Sequence, residues 1–303
     1  MSAAPRSASH RVPWLSMACL AASMALVGSY VALSKVLVAV FPVFLLALLR
    51  FGIAAVAMAR WTARAPGEAR LSARDRKLLF LESFFGNFLF SICMLFGVSM
   101  TSALAAGVIM AGIPAAVALL SRAFLHERIA PRTLAGIACA VAGIALVSLT
   151  KNANAAQPVS WLGNLMLVGA VLCEASYVVI GKKLTGLVGP KRISALINLW
   201  GLALVAPFGL WQALRFDFGA VGAASWWLLA FYSIAASVVT VWLWMTGLKH
   251  VPASSAGIFT VLLPVSAAAV GVLFLGEGFS EVQVAAFALA LAGVVLATWP
   301  SRA

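Results

Sequence analysis

The chain repeats one stretch of itself: AGVIMAGIPAAVALLSRAFLHE at residues 106–127 returns as AGIFTVLLPVSAAAVGVLFLGE at residues 256–277. Each copy begins with Ala-Gly, has a proline at its ninth position, and ends on a glutamate that follows a Phe-Leu pair. A further match between Gly143 and Gly293 continues the same register. Agreement among such different residue types at one offset indicates an internal duplication.

The duplication extends outward to nearly the whole chain. At an offset of 147 residues the matched pairs are Trp14 with Trp161, Leu15 with Leu162, Ser29 with Ser176, Tyr30 with Tyr177 and Lys35 with Lys182. At an offset of 150, Ser83 pairs with Ser233 and Gly97 with Gly247. These matches divide the chain into a first unit, 14–150, and a second unit, 161–299. The polar stretch 151–160 joins the two units, and the tails 1–13 and 300–303 flank them.

The composition is that of a membrane protein. Apolar residues make up 64% of the 303 residues and charged residues 10%, against roughly 45–50% and 25% in soluble domains. A hydrocarbon core about 30 Å thick needs a helix of ~20 apolar residues, in which every backbone polar group is paired. Segments of that length occur at 14–36, 41–60, 78–99, 102–124, 132–150, 161–183, 194–215, 225–248, 252–275 and 281–299. We therefore predict an all-α integral membrane protein with ten transmembrane helices.

Lysine and arginine predict the orientation, because cytoplasmic loops carry an excess of both. Most of the 21 basic residues fall in the N-terminal tail and in alternate connections, mainly 60–77, 122–132 and 182–192. An N-terminus inside the cell places all of these connections in the cytoplasm, and the opposite orientation would reverse the bias. We therefore predict a multi-pass protein of the inner (plasma) membrane with both termini cytoplasmic.

Each unit contains five predicted spans. Because five is odd, the second unit must cross the membrane in the reverse direction. Two inverted five-helix repeats have two symmetry-related arrangements, which is the basis of alternating access in secondary transporters. The predicted topology is therefore typical of a carrier.

Taken together, these motifs resemble the drug/metabolite transporter superfamily, in its EamA-type branch of ten-span carriers. The resemblance covers residues 14–299. Its residues are Gly28-Ser29-Tyr30 with Lys35 in span 1, Ala47-Leu48-Leu49-Arg50-Phe51 in span 2, and the two copies of the stretch quoted above. The resemblance implies export of amino acids or related metabolites first, and of drugs second. Tyr30 departs from the residue common in this branch, so the resemblance assigns no substrate.

Two ionisable side chains lie deep inside predicted spans. Arg50 is nine residues into span 2 and Glu174 thirteen residues into span 6, depths of roughly 13 and 20 Å at 1.5 Å per residue. A charge at the bilayer centre costs about 2.5–3.5 kcal/mol on insertion scales, so each needs a polar partner or a water-filled cavity. We predict that both face a central cavity and interact directly or through the substrate. The alternative is an ion pair or backbone hydrogen bond that only fixes helix packing.

Glu174 breaks the symmetry of the repeat, because its partner at an offset of 147 is Val27. Tyr177 lies three residues later on the same helix face. A desolvated carboxyl group can carry a proton near neutral pH, so a coupling proton is a hypothesis for this protein. Tyr30 and Tyr177 are predicted to line or gate the pathway, and the alternative is that both are interfacial anchors.

Further polar and aromatic side chains complete the candidate substrate-binding set: Asn87, Asn198, Trp242 and Trp244. The two amides either bind substrate or join helices, and the tryptophans either line the pathway or anchor and pack. Glu82 lies about one turn from the cytoplasmic edge of span 3, so we expect it to reach the headgroups and to lie outside the site.

The spacing shared by the two copies of the repeat also yields candidate hinge and kink residues: Pro114, Pro264, Gly107 and Gly257. A mid-helix proline removes a backbone hydrogen bond and bends the helix, so spans 4 and 9 are predicted to be kinked. The glycines allow close helix packing, with a hinge as the alternative. Glu127 and Glu277 end these spans and are predicted to be structural, since each complements the dipole of the next helix.

The sequence gives less support to other classes of function. A nucleic-acid partner would need the net charge of +13 on one folded basic face, but the basic residues lie between apolar runs. The three histidines have no companion motif for catalysis, and the four cysteines lie in apolar runs without ligand or disulfide spacing. We expect no cofactor and no metal, with the lipid bilayer and a small-molecule substrate as partners.

The sequence therefore predicts a secondary active transporter, not an enzyme, that exports a small polar metabolite such as an amino acid by alternating access. An efflux carrier for drugs or toxic compounds with the same fold is the first alternative. A passive channel and a membrane-embedded enzyme are alternatives of a different class.

Overall fold

The computed structural model describes residues 14–64, 68, 70–125, 135–136, 138–139, 142–143, 146, 160–184, 187–251, 259–260, 262–276, 278 and 280–298. Predicted span 5, at 132–150, lies largely outside the described residues. So do Gly257, Glu127 and Glu277.

The described part of the chain is helical and contains no strand. Its helices are α1 (Trp14–Val38), α2 (Val43–Ala57), α3 (Ala73–Ser99), α4 (Ala103–Met110), α5 (Ile113–Leu125), α6 (Trp161–Leu184), α7 (Pro190–Ala213), α8 (Ala223–His250), α9 (Leu262–Leu275) and α10 (Glu281–Thr298). Short 3₁₀ turns follow α2 at Ala59–Thr62 and precede α8 at Phe218–Ala220.

Several of these helices are long and apolar enough to cross a bilayer. Five described stretches meet that standard: α1, α3, α7, α8 and residues Trp161–Gly181 of α6. Shorter apolar stretches are α2, Ala105–Leu120 across α4 and α5, α9, and Glu281–Gly293 of α10. The protein is thus an all-helical, multi-pass membrane protein, with fewer full-length spans in its described part than the ten continuous ones predicted.

Span 4 is divided into α4 and α5, with a turn at Ala111 and Gly112. Pro114 explains the interruption, because it has no N–H to donate to the carbonyl group of Met110. Pro264 lies at the third residue of α9, in the first helical turn, where no N–H is needed. Both prolines thus lie at the start of a helix, and Pro114 follows the turn that divides span 4, whereas most of span 9 before α9 lies outside the described residues.

Helix α3 begins five residues before the predicted start of span 3. Ser72 caps it: its Oγ accepts a hydrogen bond from the Asp75 N–H at 3.1 Å, and the Asp75 carboxylate accepts one from the Ser72 N–H at 3.0 Å. Such a capping box stabilises a helix start by about 1 kcal/mol. The helix therefore begins with a charged first turn. Every later residue of α3 lies further from the helix N-terminus than the sequence predicted.

Glycine contacts define how α3 packs against α6. A Cβ atom built at Gly97 would lie 2.6 Å from Leu167 Cγ, and one at Gly86 would lie 2.3 Å from Tyr177 Cδ2. One at Gly181 would lie 2.7 Å from Glu82 Oε1. Because residue numbers rise along α3 as they fall along α6, the two helices are antiparallel and in close contact over their length.

Helix α1 packs against α8 and α9 in the same manner. A Cβ atom built at Gly247 would lie 2.6 Å from Leu20 Cγ, and one at Gly28 would lie 2.1 Å from the carbonyl oxygen of Leu263. Gly107 of α4 also packs on α9, with its built Cβ 3.4 Å from Ala267 Cβ. These contacts join helices from opposite sides of the 151–160 connection.

Two helices contain a π turn that the sequence did not predict. Phe84–Leu89 lies within α3 and Ala235–Val239 lies within α8. The two turns follow Ser83 and Ile234, close to equivalent positions at an offset of 150. A π turn widens a helix locally and is frequent at functional sites.

Candidate functional site

A cavity of about 40 Å³ lies between α1, α2, α3, α6, α7 and α8. Both π turns contribute to its wall, through Gly86 and Asn87 in α3 and Ala236 in α8. Six side chains that the sequence predicted for the site line this cavity: Tyr30, Arg50, Asn87, Glu174, Tyr177 and Trp244. Residues far apart in the chain are therefore brought together around one cavity.

Arg50 is a buried cation held by neutral groups. Its side chain is 2% exposed, and its Nη2 donates a hydrogen bond to Ser91 Oγ. Ser91 Oγ in turn donates to the carbonyl oxygen of Asn87 in the π turn. The guanidinium carbon lies 4.3 Å from the ring centroid of Phe51 and 5.7 Å from that of Tyr232, so ring faces add cation–π attraction.

Glu174 lines the same cavity from α6 and is partly exposed. In the described part of the chain, no ion pair within 4.0 Å joins its carboxylate to Arg50. Of the two interactions predicted for these charges, the direct one is therefore absent from this conformation. Val27, the repeat partner of Glu174, also lines the cavity. The two equivalent positions thus place a carboxyl group and an aliphatic side chain in the same cavity.

Tyr30 and Tyr177 are both buried and line the cavity. The Tyr30 ring makes an edge-to-face contact with Tyr232, with ring centroids 5.7 Å apart. The Tyr177 ring lies over Gly86, where a side chain would leave no room for it. Its hydroxyl has no hydrogen-bond partner among the described residues, so it is available to a molecule in the cavity.

The two predicted amides have different environments. Asn87 lines the cavity, and its Nδ2 donates to the carbonyl oxygen of Ile197 at 3.1 Å. Asn198 lies outside the lining, 1% exposed, and its Nδ2 donates to the carbonyl oxygen of Phe51 at 3.0 Å. Asn198 thus joins α7 to α2, the alternative role weighed for it above.

The two predicted tryptophans also lie in different environments. Trp244 is 2% exposed, lines the cavity, and has an indole N–H without a partner in the described part. Trp242 lies 6.2 Å from Trp61 between ring centroids, and the Lys191 Nζ atom lies 5.8 Å from the Trp242 centroid. Residues two apart in a helix point about 200° apart, so only one of the pair reaches the cavity.

The expectation that Glu82 reaches the headgroups is wrong. Its side chain is 0% exposed, and neither carboxylate oxygen has a hydrogen-bond partner among the described residues. The early start of α3 explains the error, since Glu82 lies nine residues into the helix rather than one turn. Sequence reasoning also missed Ser91 and Thr240 in the cavity wall, and short hydroxyl residues in apolar helices carry little signal of their own.

Comparisons with known proteins agree with one another. A family model described as the EamA-like transporter family matches residues 14–149 and 161–299. YetK, an uncharacterized transporter of Bacillus subtilis, is 35% identical over 277 residues, which cover 91% of this chain and 84% of YetK. An uncharacterized transporter of Archaeoglobus fulgidus is 24% identical over 229 residues, 75% of this chain and 79% of that protein. One crystal structure of a protein shares the fold, with a TM-score of 0.63 at 19% identity over 92% of this chain and 95% of the other.

Proposed function

Because the chain belongs to the EamA-like transporter family, we propose that it is a secondary transporter that exports a small polar metabolite, an amino acid first, by alternating access. The family and the relatives named as transporters identify a transporter and not an enzyme. The observation that carries the finer proposal is the cavity in which Arg50 and Glu174 face one space without pairing.

The charges of the cavity suit a zwitterion. A guanidinium group binds a carboxylate through paired hydrogen bonds, and a carboxylate binds an ammonium group. A bound amino acid would supply both partners at once, so that neither Arg50 nor Glu174 is left as an uncompensated charge in the bilayer. Tyr30 and Trp244 supply the apolar and aromatic wall against which a side chain packs.

The contacts between helices support the inverted repeat that alternating access needs. Gly97 of α3 packs on Gly163 and Leu167 of α6, and its repeat partner Gly247 of α8 packs on Ser16 and Leu20 of α1. Residues 16 and 20 are the equivalents of 163 and 167 at an offset of 147. Each unit thus presents the same glycine to the first helix of the other unit, as two units related by a twofold axis would.

The proposal includes the ten-span topology, with both termini cytoplasmic in the inner membrane. The cavity of about 40 Å³ is far below the roughly 300 Å³ of common ligand pockets. It must therefore widen before a metabolite enters. In an inverted repeat, helices around the cavity separate on one membrane side and then on the other, and the substrate moves between the two openings.

Counterflow in proteoliposomes tests the proposal. Purified protein is reconstituted, vesicles are preloaded with each unlabelled proteinogenic amino acid in turn, and uptake of the labelled form is followed. We expect transient accumulation of labelled substrate for at least one amino acid. Arg50→Gln and Glu174→Gln should each lower this uptake at least tenfold, because each leaves one end of the zwitterion unpaired.

Arg215→Gln is the matched control. The Arg215 guanidinium carbon lies 4.4 Å from the Trp211 ring centroid, outside the cavity lining, so uptake should stay within about twofold of the wild type. Retention of full uptake by Arg50→Gln would refute the assigned site. Flux that equilibrates without counterflow would identify a channel instead of a carrier.

A further inference from the structure

Three hydrogen-bonding groups of the cavity-lining residues have no partner in the described part of the chain. They are the Tyr177 hydroxyl, the Thr240 hydroxyl and the Trp244 indole N–H. All three side chains are buried. A polar group that loses its hydration on burial costs free energy unless it gains a new hydrogen bond. These groups therefore favour a bound molecule that supplies the missing partners when the cavity widens.

Thr240 and Trp244 form one end of the cavity, which we call the indole end. The two residues lie four apart on α8 and share one helix face. Ser23 Oγ of α1 donates to the Thr240 carbonyl oxygen at 3.0 Å, so this end lies beside Ser23. The part of α8 that carries it, Thr240–His250, packs mainly on α1, whereas α2 packs on the part of α8 before it.

Arg50 of α2 lies at the other end. Its guanidinium carbon is 5.7 Å from the ring centroid of Tyr232, which is 5.7 Å from that of Tyr30. Tyr30 follows Ser23 by seven residues on α1, roughly 10 Å along the helix axis. The guanidinium group and the indole end therefore face different parts of a molecule in the cavity.

Tyr177 of α6 is attached on the indole-end side of the guanidinium group. Its ring packs on Gly86 of α3, five residues or roughly 7 Å before Ser91, which accepts the hydrogen bond from the guanidinium group. Helices α1 and α3 run in the same direction, since further along both of them Ser34 Oγ donates to Met94 Sδ at 3.6 Å. The earlier residues of both helices thus lie towards the indole end.

The duplication alone does not account for the indole end. At an offset of 150 residues, Thr240 corresponds to Phe90 and Trp244 to Met94. Neither equivalent has a hydrogen-bond donor in its side chain, although Phe90 also lines the cavity. The donors at this end therefore belong to one half of the molecule, as Arg50 and Glu174 each do.

The hydrogen-bonding properties of these groups define the side chain that they can bind. An indole N–H only donates, whereas the hydroxyl groups donate or accept. Their partner must carry an acceptor atom, which hydroxyl and amide groups supply and hydrocarbon groups lack. A charged side chain is disfavoured, because the described lining holds one cation, Arg50, and one anion, Glu174. The main-chain groups of a zwitterion occupy both.

We propose that Thr240, Trp244 and Tyr177 select the side chain of the exported amino acid; this inference rests on the proposed function. The selected side chain is uncharged and carries a hydroxyl or amide group, as in serine, threonine, asparagine and glutamine. Arg50 binds the carboxylate and Glu174 the ammonium group, while the side-chain oxygen accepts from the Trp244 N–H. An amino acid of the same shape without that oxygen leaves the three groups unpaired and binds more weakly.

Pairs of amino acids with nearly the same shape test this inference. Valine has a methyl group where threonine has a hydroxyl, and leucine has two methyl groups where asparagine has an amide. In the counterflow screen, the largest accumulation should occur for an amino acid of the selected class, which then serves as the labelled probe. Unlabelled threonine should compete with this probe at a concentration at least about tenfold lower than valine does, and asparagine likewise against leucine.

Three variants each remove one hydrogen-bonding group: Thr240→Val, Trp244→Phe and Tyr177→Phe. Each should lower the advantage of threonine over valine at least about fivefold, because valine then leaves one buried group fewer unpaired. Ser237→Ala is the matched control. The Ser237 hydroxyl is also buried and unpartnered among the described residues, but Ser237 lies outside the cavity lining. Its removal should leave the advantage of threonine within about twofold of the wild type.

Several results would overturn the inference. Equal competition by threonine and valine in the wild type is one, and this comparison needs no variant to fold. Counterflow confined to charged or hydrocarbon amino acids is another. Variants that weaken both competitors equally would also overturn it, because the three groups would then bind the main chain or only support the helices. Failure of the proposed function would look different, since the wild type would show no counterflow for any amino acid.

Discussion

Replacing Gly28 by alanine should destabilise the protein by forcing apart two helices on opposite sides of the central connection. The added Cβ would lie 2.1 Å from the Leu263 carbonyl oxygen and 2.8 Å from the Ala267 backbone nitrogen. Neither backbone atom can rotate away, so α1 and α9 must separate by more than about 1 Å to reach normal contact. Overpacking of this kind costs about 1–3 kcal/mol, which corresponds to a fall of roughly 2–10 °C in the melting midpoint of a chain of this size.

A glycine series makes the reasoning refutable. Gly107→Ala meets Ala267 Cβ at an ordinary 3.4 Å, and Gly52→Ala meets nothing within 4 Å. Gly52→Ala should gain about 0.5–1 kcal/mol, because alanine is the better helix former. Thermal midpoints in detergent, read by size-exclusion chromatography after heating, should rank Gly28→Ala well below the other two. A Gly28→Ala protein as heat-resistant as the wild type would refute the contact.

Three further predictions concern the cavity and the topology. Ser91→Ala removes the hydroxyl that accepts from the buried arginine. A hydrogen bond to a charged group contributes about 1.5–3 kcal/mol, so the KM for substrate in the counterflow assay should rise at least about tenfold. Ser176→Ala, whose hydroxyl only bonds to its own helix, is the control, and an equal KM in both variants would contradict the prediction. Asn198→Ala should lower the melting midpoint without raising KM, whereas Asn87→Ala should raise KM. The reverse pattern would show that Asn198 binds substrate and that Asn87 joins helices. Reporter fusions should place residue 155 outside and the N-terminus inside the cell, and the same side for both would exclude an inverted repeat.

The sequence predicted most of the cavity because the cost of intramembrane charge is large. Arg50 and Glu174 stand out in apolar spans however the helices pack, since a buried charge needs a polar partner. The tyrosines were found through the repeat, and both line the cavity. These residues could be predicted because their residue type, their depth in the span and the repeat period can all be read from the sequence.

The rest depended on where helices begin and which way they turn. Glu82 was misplaced because the start of α3 is fixed by hydrogen bonds between Ser72 and Asp75 in a polar connection, which hydropathy does not register. The choice between Trp242 and Trp244 required the rotation of α8, which the unpredicted π turn at Ala235–Val239 resets. A π turn has no simple sequence pattern. Helical periodicity therefore cannot predict which direction the residues after it face.

The glycine contacts have a consequence for the autonomy of each half of the molecule. The helix pairs that enclose the cavity, α1 with α8, α2 with α7 and α3 with α6, all take one member from each half. A half released on its own would expose to lipid the grooves at Gly97 or Gly247 with no helix to fill them, together with hydroxyl groups such as Ser23 that now bond across the junction to Thr240. Neither half can therefore enclose a pathway alone. Because residues 151–160 join the halves covalently, every molecule carries one copy of each half into the same bilayer.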